Sequence, residues 1–181
     1  NTLDTYKTNI SDEIYLQYRG ELEVMRSYYY YLLFDCFGRI PYLESFSEAD
    51  AQPLIPAAEV WSKLVMCLEK NAPNMAVVRS DADRSANYGR VTQGFAYALL
   101  ARLYLNAEVY TGTSMWSQAK EICEEIFDMG YALSPDYEAL FRGDNGENTA
   151  VRNEMLWAVP YNAEKTQSYG GTSYLLAASL A

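Results

Sequence analysis

Apolar residues recur at helical spacing through most of this chain. Leu22, Met25, Tyr29, Leu32 and Cys36 step by three, four, three and four. That is the stripe of an amphipathic helix, not the alternation of a strand. Gly38 stands where a left-handed C-terminal cap belongs, and Pro41 keeps the helix from resuming. The pattern predicts a helix over residues 12–37. Its body carries four consecutive tyrosines, Tyr28 to Tyr31. Successive residues on a helix point about 100° apart, so the run is read as core and helix–helix packing rather than as one aromatic patch.

A second helix follows Pro56, which suits a first turn because its missing N–H would be unpaired there anyway. Val60, Trp61, Leu64, Cys67 and Leu68 form its apolar face, and Asn71-Ala72-Pro73 ends it. A polar link, residues 79–87, leads to a third helix over residues 90–108. There Gly94, Ala98 and Ala101 make a small-residue stripe beside Phe95, Leu99 and Leu103. Ser114 is the expected N-cap of a fourth helix ending at Gly130, with Trp116, Ala119, Cys123 and Ile126 on one face. A short helical turn is expected over residues 135–141, and RGDNGEN, residues 142–148, reads as surface loop. EMLWAVPY, residues 154–161, reads as the single extended segment, with Met155, Trp157 and Val159 on its inner face. SYGGTSY near the end reads as a loop.

The fold class expected is all-α, with tetratricopeptide-like helical hairpins and a small β-strand element near the C-terminus. One domain over residues 1–181 is expected, made of a hairpin at 12–72, a hairpin at 89–130 and a strand-and-loop tail at 153–181. The chain opens and closes in mid-phrase, and is read as a fragment of a longer protein.

Composition narrows the function. Half of the 181 residues are apolar, 21% are charged and the net charge is −10. An acidic chain lacks the basic face that nucleic acid or anionic lipid requires. Histidine is absent, which removes the commonest general base and zinc ligand together. The three cysteines, Cys36, Cys67 and Cys123, make no C-x-x-C pair and are read as small buried hydrophobes. Neither a cofactor nor a metal site is expected. DNGEN at residues 144–148 lacks the spacing and final glutamate of a calcium loop.

Loops present side chains to solvent, so loop aromatics and amides are the candidate ligand contacts. These are Tyr42 and Phe46 after the first helix, then Tyr161, Asn162, Gln167, Tyr169 and Tyr174 near the end. Aromatic faces stack on sugar C–H surfaces, and amides bridge vicinal hydroxyls. Trp61, Trp116 and Trp157 are read as packing. A glycosidase would need two carboxyls facing each other across about 5–10 Å. The carboxylates here decorate helix faces, and Glu154 in an apolar segment is the odd one. No catalytic constellation can be assembled.

The ordered motifs resemble the SusD/RagB family. GELEVMRSYYYYLLFDCFGRIPYL, from Gly20, is similar to that family's signature helix, through Gly20, Glu21, Arg26, Tyr28 to Tyr31, Phe37, Gly38 and Pro41. GRVTQGFAYALLARLYLNAEVYTG, from Gly89, resembles its next hairpin. Trp116, Ala119, Gly130-Tyr131, Leu133, Tyr137 and Leu140-Phe141 follow in the family's order. NEMLWAVPYN and QSYGGTSYLL resemble later segments, the second being most like the starch-binding branch. The resemblance covers nearly all of the chain beyond residue 12. It implies a non-catalytic glycan-binding lipoprotein on the bacterial outer membrane, possessing a tetratricopeptide-like scaffold. Its implied partners are an oligosaccharide and a SusC-like TonB-dependent transporter, and it would touch the membrane only through a lipid anchor outside this chain. The competing expectation is a helical-repeat adaptor that grips a peptide or partner protein in its concave groove.

Overall fold

A computed structural model describes residues 2–44 and 52–161. After a four-residue turn, α1 (Thr2–Thr5), the long helix α2 spans Asp12–Phe37. Ser11 caps it by accepting a hydrogen bond from Ile14 N at 3.3 Å. Gly38 ends it at φ 69°, a conformation that side-chain-bearing residues avoid. These bounds are the ones the sequence predicts, but the buried face is not. Gly20, Val24, Ser27, Tyr31 and Phe34 are buried, while Leu22, Tyr29, Leu32 and Cys36 are exposed. The helix is apolar on most sides, so more than one three–four stripe can be drawn along it. The face that wins carries Gly20 and Ser27, whose small size lets the next element approach. A Cβ on Gly20 would meet Asn71 O at 3.3 Å and Met75 Cγ at 3.0 Å.

Helix α3 (Ala57–Asn71) runs back along α2. Ile55 pairs with Ile40 in an antiparallel bridge, Cys67 Sγ lies 3.8 Å from Glu23 O, and Asn71 reaches Gly20. The core of this hairpin is Val24, Tyr31 and Phe34 against Val60, Leu64, Val65 and Leu68. Trp61 is buried, as expected, and its indole N–H donates to Leu103 O at 2.8 Å, tying the first hairpin to the second. Arg90 adds a second tie through both oxygens of the Glu21 carboxylate.

The polar link contains a helix that the hydrophobic pattern misses, α4 (Asp81–Ala86). A reciprocal cap builds it. Ser80 Oγ accepts from Asp83 N at 3.1 Å, and the Asp83 carboxylate accepts from Ser80 N at 3.0 Å. The expected third helix is α5 (Gln93–Leu105) followed, after a break at Asn106, by the short α6 (Ala107–Thr111). Helix α7 (Trp116–Asp128) starts after Met115, which gives no side-chain cap, rather than after Ser114. It runs antiparallel to α5, because Tyr131 beyond its end abuts Gly94 while Trp116 at its start shares a groove with Leu105. Gly130 turns the chain at φ 77°. A 3₁₀ turn at Glu138–Phe141 stands where a short helical turn is expected.

Helix α8 (Thr149–Glu154) replaces the start of the expected extended segment. Asn148 caps it, accepting from Ala150 N at 3.0 Å, and Arg152 holds it to α4 by a bidentate pair with Asp81. From Met155 to Tyr161 the chain is non-helical and makes no ladder among the described residues. The strand-type pairing among the described residues is the Ile40–Ile55 bridge, in the first hairpin. Glu154, the odd carboxylate of the sequence, accepts from Ser134 N at 2.7 Å and so anchors a turn. Cys36 is exposed and Cys67 and Cys123 are partly exposed, which corrects the expectation that all three are buried. Among the described residues no helix is long and apolar enough to cross a membrane.

Buried phenols give the fold a pH limit. Burial pushes the Tyr42 hydroxyl up to about 12 from an ordinary value of 10.0. Burial first, then a bond to a carboxylate, raises Tyr104 (beside Glu69) and Tyr110 (beside Asp35). The neutral phenol is the form the fold favours. Stability from these groups is therefore complete below about pH 10 and is lost as pH rises through about 12. Denaturant midpoints measured from pH 8 to 12 should stay level and then fall above pH 10. A midpoint unchanged at pH 12 would contradict this assignment.

Candidate functional site

The four consecutive tyrosines of α2, Tyr28 to Tyr31, take four separate duties. Tyr31 is in the core and Tyr29 is exposed. Tyr30 clamps the chain beyond the helix, its hydroxyl accepting from Leu43 N at 2.9 Å and donating to Leu43 O at 3.2 Å. Arg26 supports the same turn by donating to Glu44 O at 3.0 Å. Tyr28 is half-buried and faces an aromatic cluster. Its ring centroid lies 5.4 Å from Phe95 and 5.6 Å from Trp157, both nearly edge-on, and Phe95 and Trp157 are 4.9 Å apart.

This cluster walls a groove of about 330 Å³. Tyr28, Tyr31 and Leu32 come from α2, Phe95, Leu99 and Arg102 from α5, and Trp157 from the segment after α8. The last segment is pinned in place. Trp157 Nε1 donates to Gly89 O at 3.4 Å, and Pro160 Cγ would be 2.9 Å from any Cβ on Gly89. Gly89 sits at φ 81°, so glycine answers both the backbone conformation and the close approach. Tyr161 follows directly and is 54% exposed. Trp157 is thus partly buried architecture, as the sequence suggests, on a non-ladder segment.

Tyr42 is half-buried, stacked on Tyr30 at 4.5 Å and 29°, with Lys63 Nζ 5.3 Å from its centroid. Its ring is engaged in packing, whereas Tyr161 is open. No ring contact joins the two. Phe46, Asn162, Gln167, Tyr169 and Tyr174 lie outside the described residues.

A second groove, of about 420 Å³, lies between α5 and α7. Ala101, Leu105, Ala119 and Cys123 line it, with Arg102, Lys120 and Trp116 at its margin. Trp116 is 60% exposed, which overturns its reading as packing. It stands at the first position of α7, where no turn precedes it to cover the ring. Among the described residues no group of three or more Cys, Asp or Glu could hold a metal ion.

No family model matches the chain. The chain is 31% identical over 167 residues to the starch-binding protein SusD of Bacteroides thetaiotaomicron, covering 92% of this chain and 29% of that protein. Among solved structures it is similar to surface glycan-binding protein A from Bacteroides uniformis, with a TM-score of 0.72 and 23% identity, covering 88% of this chain and 34% of the other. A SusD-like protein from Bacteroides fragilis matches with a TM-score of 0.68 and 21% identity, over 85% of this chain and 29% of that one. A laminarin-binding SusD-like protein matches with a TM-score of 0.61 and 21% identity, over 75% and 30% respectively. The chain therefore spans about a third of the length of the proteins it matches.

Proposed function

Because this chain belongs to the SusD/RagB family, we propose that the protein it forms part of captures glycan without cleaving it. The observation that carries this reading is the 31% identity over 167 residues to a starch-binding protein. The division of the aromatics supports it. Tyr28, Phe95 and Trp157 lock to one another and hold the chain that leads to Tyr161. In this reading the hairpins are scaffold. The sugar is gripped by Tyr161, Asn162, Gln167, Tyr169 and Tyr174, with Phe46 as a contact from the other loop and Tyr42, stacked on Tyr30, supporting that loop. Rings stack on sugar faces and amides bond vicinal hydroxyls. The chain acts as a single helical domain within the longer protein. That protein is lipid-anchored on the outer-membrane surface and passes oligosaccharide to a SusC-like TonB-dependent transporter.

One observation favours the helical-adaptor reading, namely the exposed Trp116 over the apolar α5–α7 groove. Calorimetry of the intact protein separates the readings. Maltooligosaccharides or laminarioligosaccharides should bind saturably, a mixed peptide pool should not, and no new reducing ends should appear. Peptide binding with no heat from any glycan would favour the adaptor, and released reducing ends would establish an enzyme.

A further inference from the structure

A small cavity of about 30 Å³ lies against the segment after α8, sharing Leu156 and Trp157 with the wall of the first groove. Its wall includes Arg84, Arg90, Thr92, Tyr131 and Arg152 and no carboxylate. Two of the three guanidinium groups are compensated, Arg90 by Glu21 and Arg152 by Asp81. Arg84 makes no salt bridge among the described residues, though it is only 7% exposed; the Asp83 carboxylate acts on it from beyond ion-pair distance and is engaged with Ser80. Its Nη2 donates to Gly130 O at 3.1 Å, at the C-terminal end of α7, and its guanidinium lies 4.9 Å from the Tyr131 ring. These contacts offset part of a buried positive charge, whose isolation is costly.

Three buried polar atoms on this wall have no hydrogen-bond partner, and all three can donate: Arg84 Nε, Thr92 Oγ1 and Tyr131 Oη. Thr92 holds the N-cap position of α5, where its hydroxyl would ordinarily cap the helix, yet it makes no such bond. Tyr131 lies against Gly94, in the first turn of the same helix. The Thr92 hydroxyl is close enough to ease ionisation of Tyr131 against the effect of burial, but the two hydroxyls do not close a bond. The thirteen-residue α5 adds the positive end of its dipole.

We propose that this cavity is a binding site for one small monoanion, with chloride as the ligand, held by Arg84 Nε, Thr92 Oγ1 and Tyr131 Oη. One guanidinium charge lacks a salt bridge, so one negative charge completes the wall. A volume of about 30 Å³ has room for an ion of that size, or for a water molecule or two. The site stands independently of any glycan role.

Crystals of the intact protein grown in sodium bromide test this directly. An anomalous peak should stand within hydrogen-bond reach of all three atoms. It should disappear in Thr92→Val and persist in Thr92→Ser. In solution the thermal midpoint should rise with chloride relative to sodium gluconate at equal ionic strength, as for a ligand of the folded state, and Thr92→Val should abolish the difference. If Thr92→Val does not fold, the wild-type bromide map and the chloride–gluconate comparison still decide. A bromide-free cavity, or equal midpoints in the two salts, would make this a water site and overturn the proposal.

Discussion

Phe34→Ala should be among the most damaging substitutions in this chain, costing about 3–5 kcal/mol in urea denaturation. Phe34 is fully buried in the hairpin core and its ring lies 4.3 Å from that of Tyr110. Removing it leaves a cavity that the flanking helices cannot close, because they are held by Trp61 on Leu103 O and by Arg90 on Glu21. A loss of that size is a large share of the about 5–15 kcal/mol that a domain has in total. Tyr29→Ala, five residues earlier on α2, should change the stability of this chain by about 0.5 kcal/mol or less, since Tyr29 is 59% exposed. The two values together test which stripe of α2 is buried. A reversed order would mean that the stripe through Tyr29 faces the core.

Gly94→Ala should also destabilise, by about 1–3 kcal/mol, although the same change at an open helical position gains roughly 1 kcal/mol. The new Cβ would stand 2.8 Å from Tyr131 Cε2 and 2.9 Å from Cζ. The ring has little room to yield, since the Arg84 guanidinium covers it. Tyr131→Ala opens the space, so in that background Gly94→Ala should become neutral or stabilising. A double-mutant cycle by denaturant unfolding measures the coupling. Additive effects would show that the Gly94–Tyr131 contact does not limit the packing of α5 on the chain after α7.

Helix ends were the most legible part of the sequence. Gly38, Gly130 and Pro56 act through local backbone geometry, which a single position reveals. The buried face of α2 was less legible because its apolar residues surround the helix, and the choice among stripes depends on the partner. Gly20 and Ser27 were the available signal, since small residues mark close approach. α4 was visible as Ser80-x-x-Asp83, a capping pattern that hydrophobic periodicity alone passes over. α8 was hidden because Met155, Trp157 and Val159 alternate like a strand, while Asn148 and Arg152 fix a helix just before them. Trp116 misled because helical spacing counts a ring as core even at a first turn with nothing above it.

Much of the candidate site was legible only as composition. Tyr161 is open where a loop aromatic is expected, but Tyr42 proved to be stacked on Tyr30. Sequence gives no sign of that stacking, because it depends on Tyr30 turning toward Leu43 rather than toward the core. The Arg84 cavity was equally hidden. Its wall is drawn from α4, the start of α5, the turn after α7, and α8 with the segment beyond it, which no local motif connects.

The proposed function divides the tyrosines into those that build the hairpins and those that hold sugar. Isothermal titration of maltooligosaccharide and laminarioligosaccharide into the intact protein tests that division most directly, comparing wild type with a Tyr169→Ala/Tyr174→Ala double variant. Two lost ring contacts, at about 0.5–1.5 kcal/mol each, should weaken binding by about fivefold to about 140-fold while the thermal midpoint stays in place. A double variant that binds as tightly as wild type would contradict the account and move the grip elsewhere.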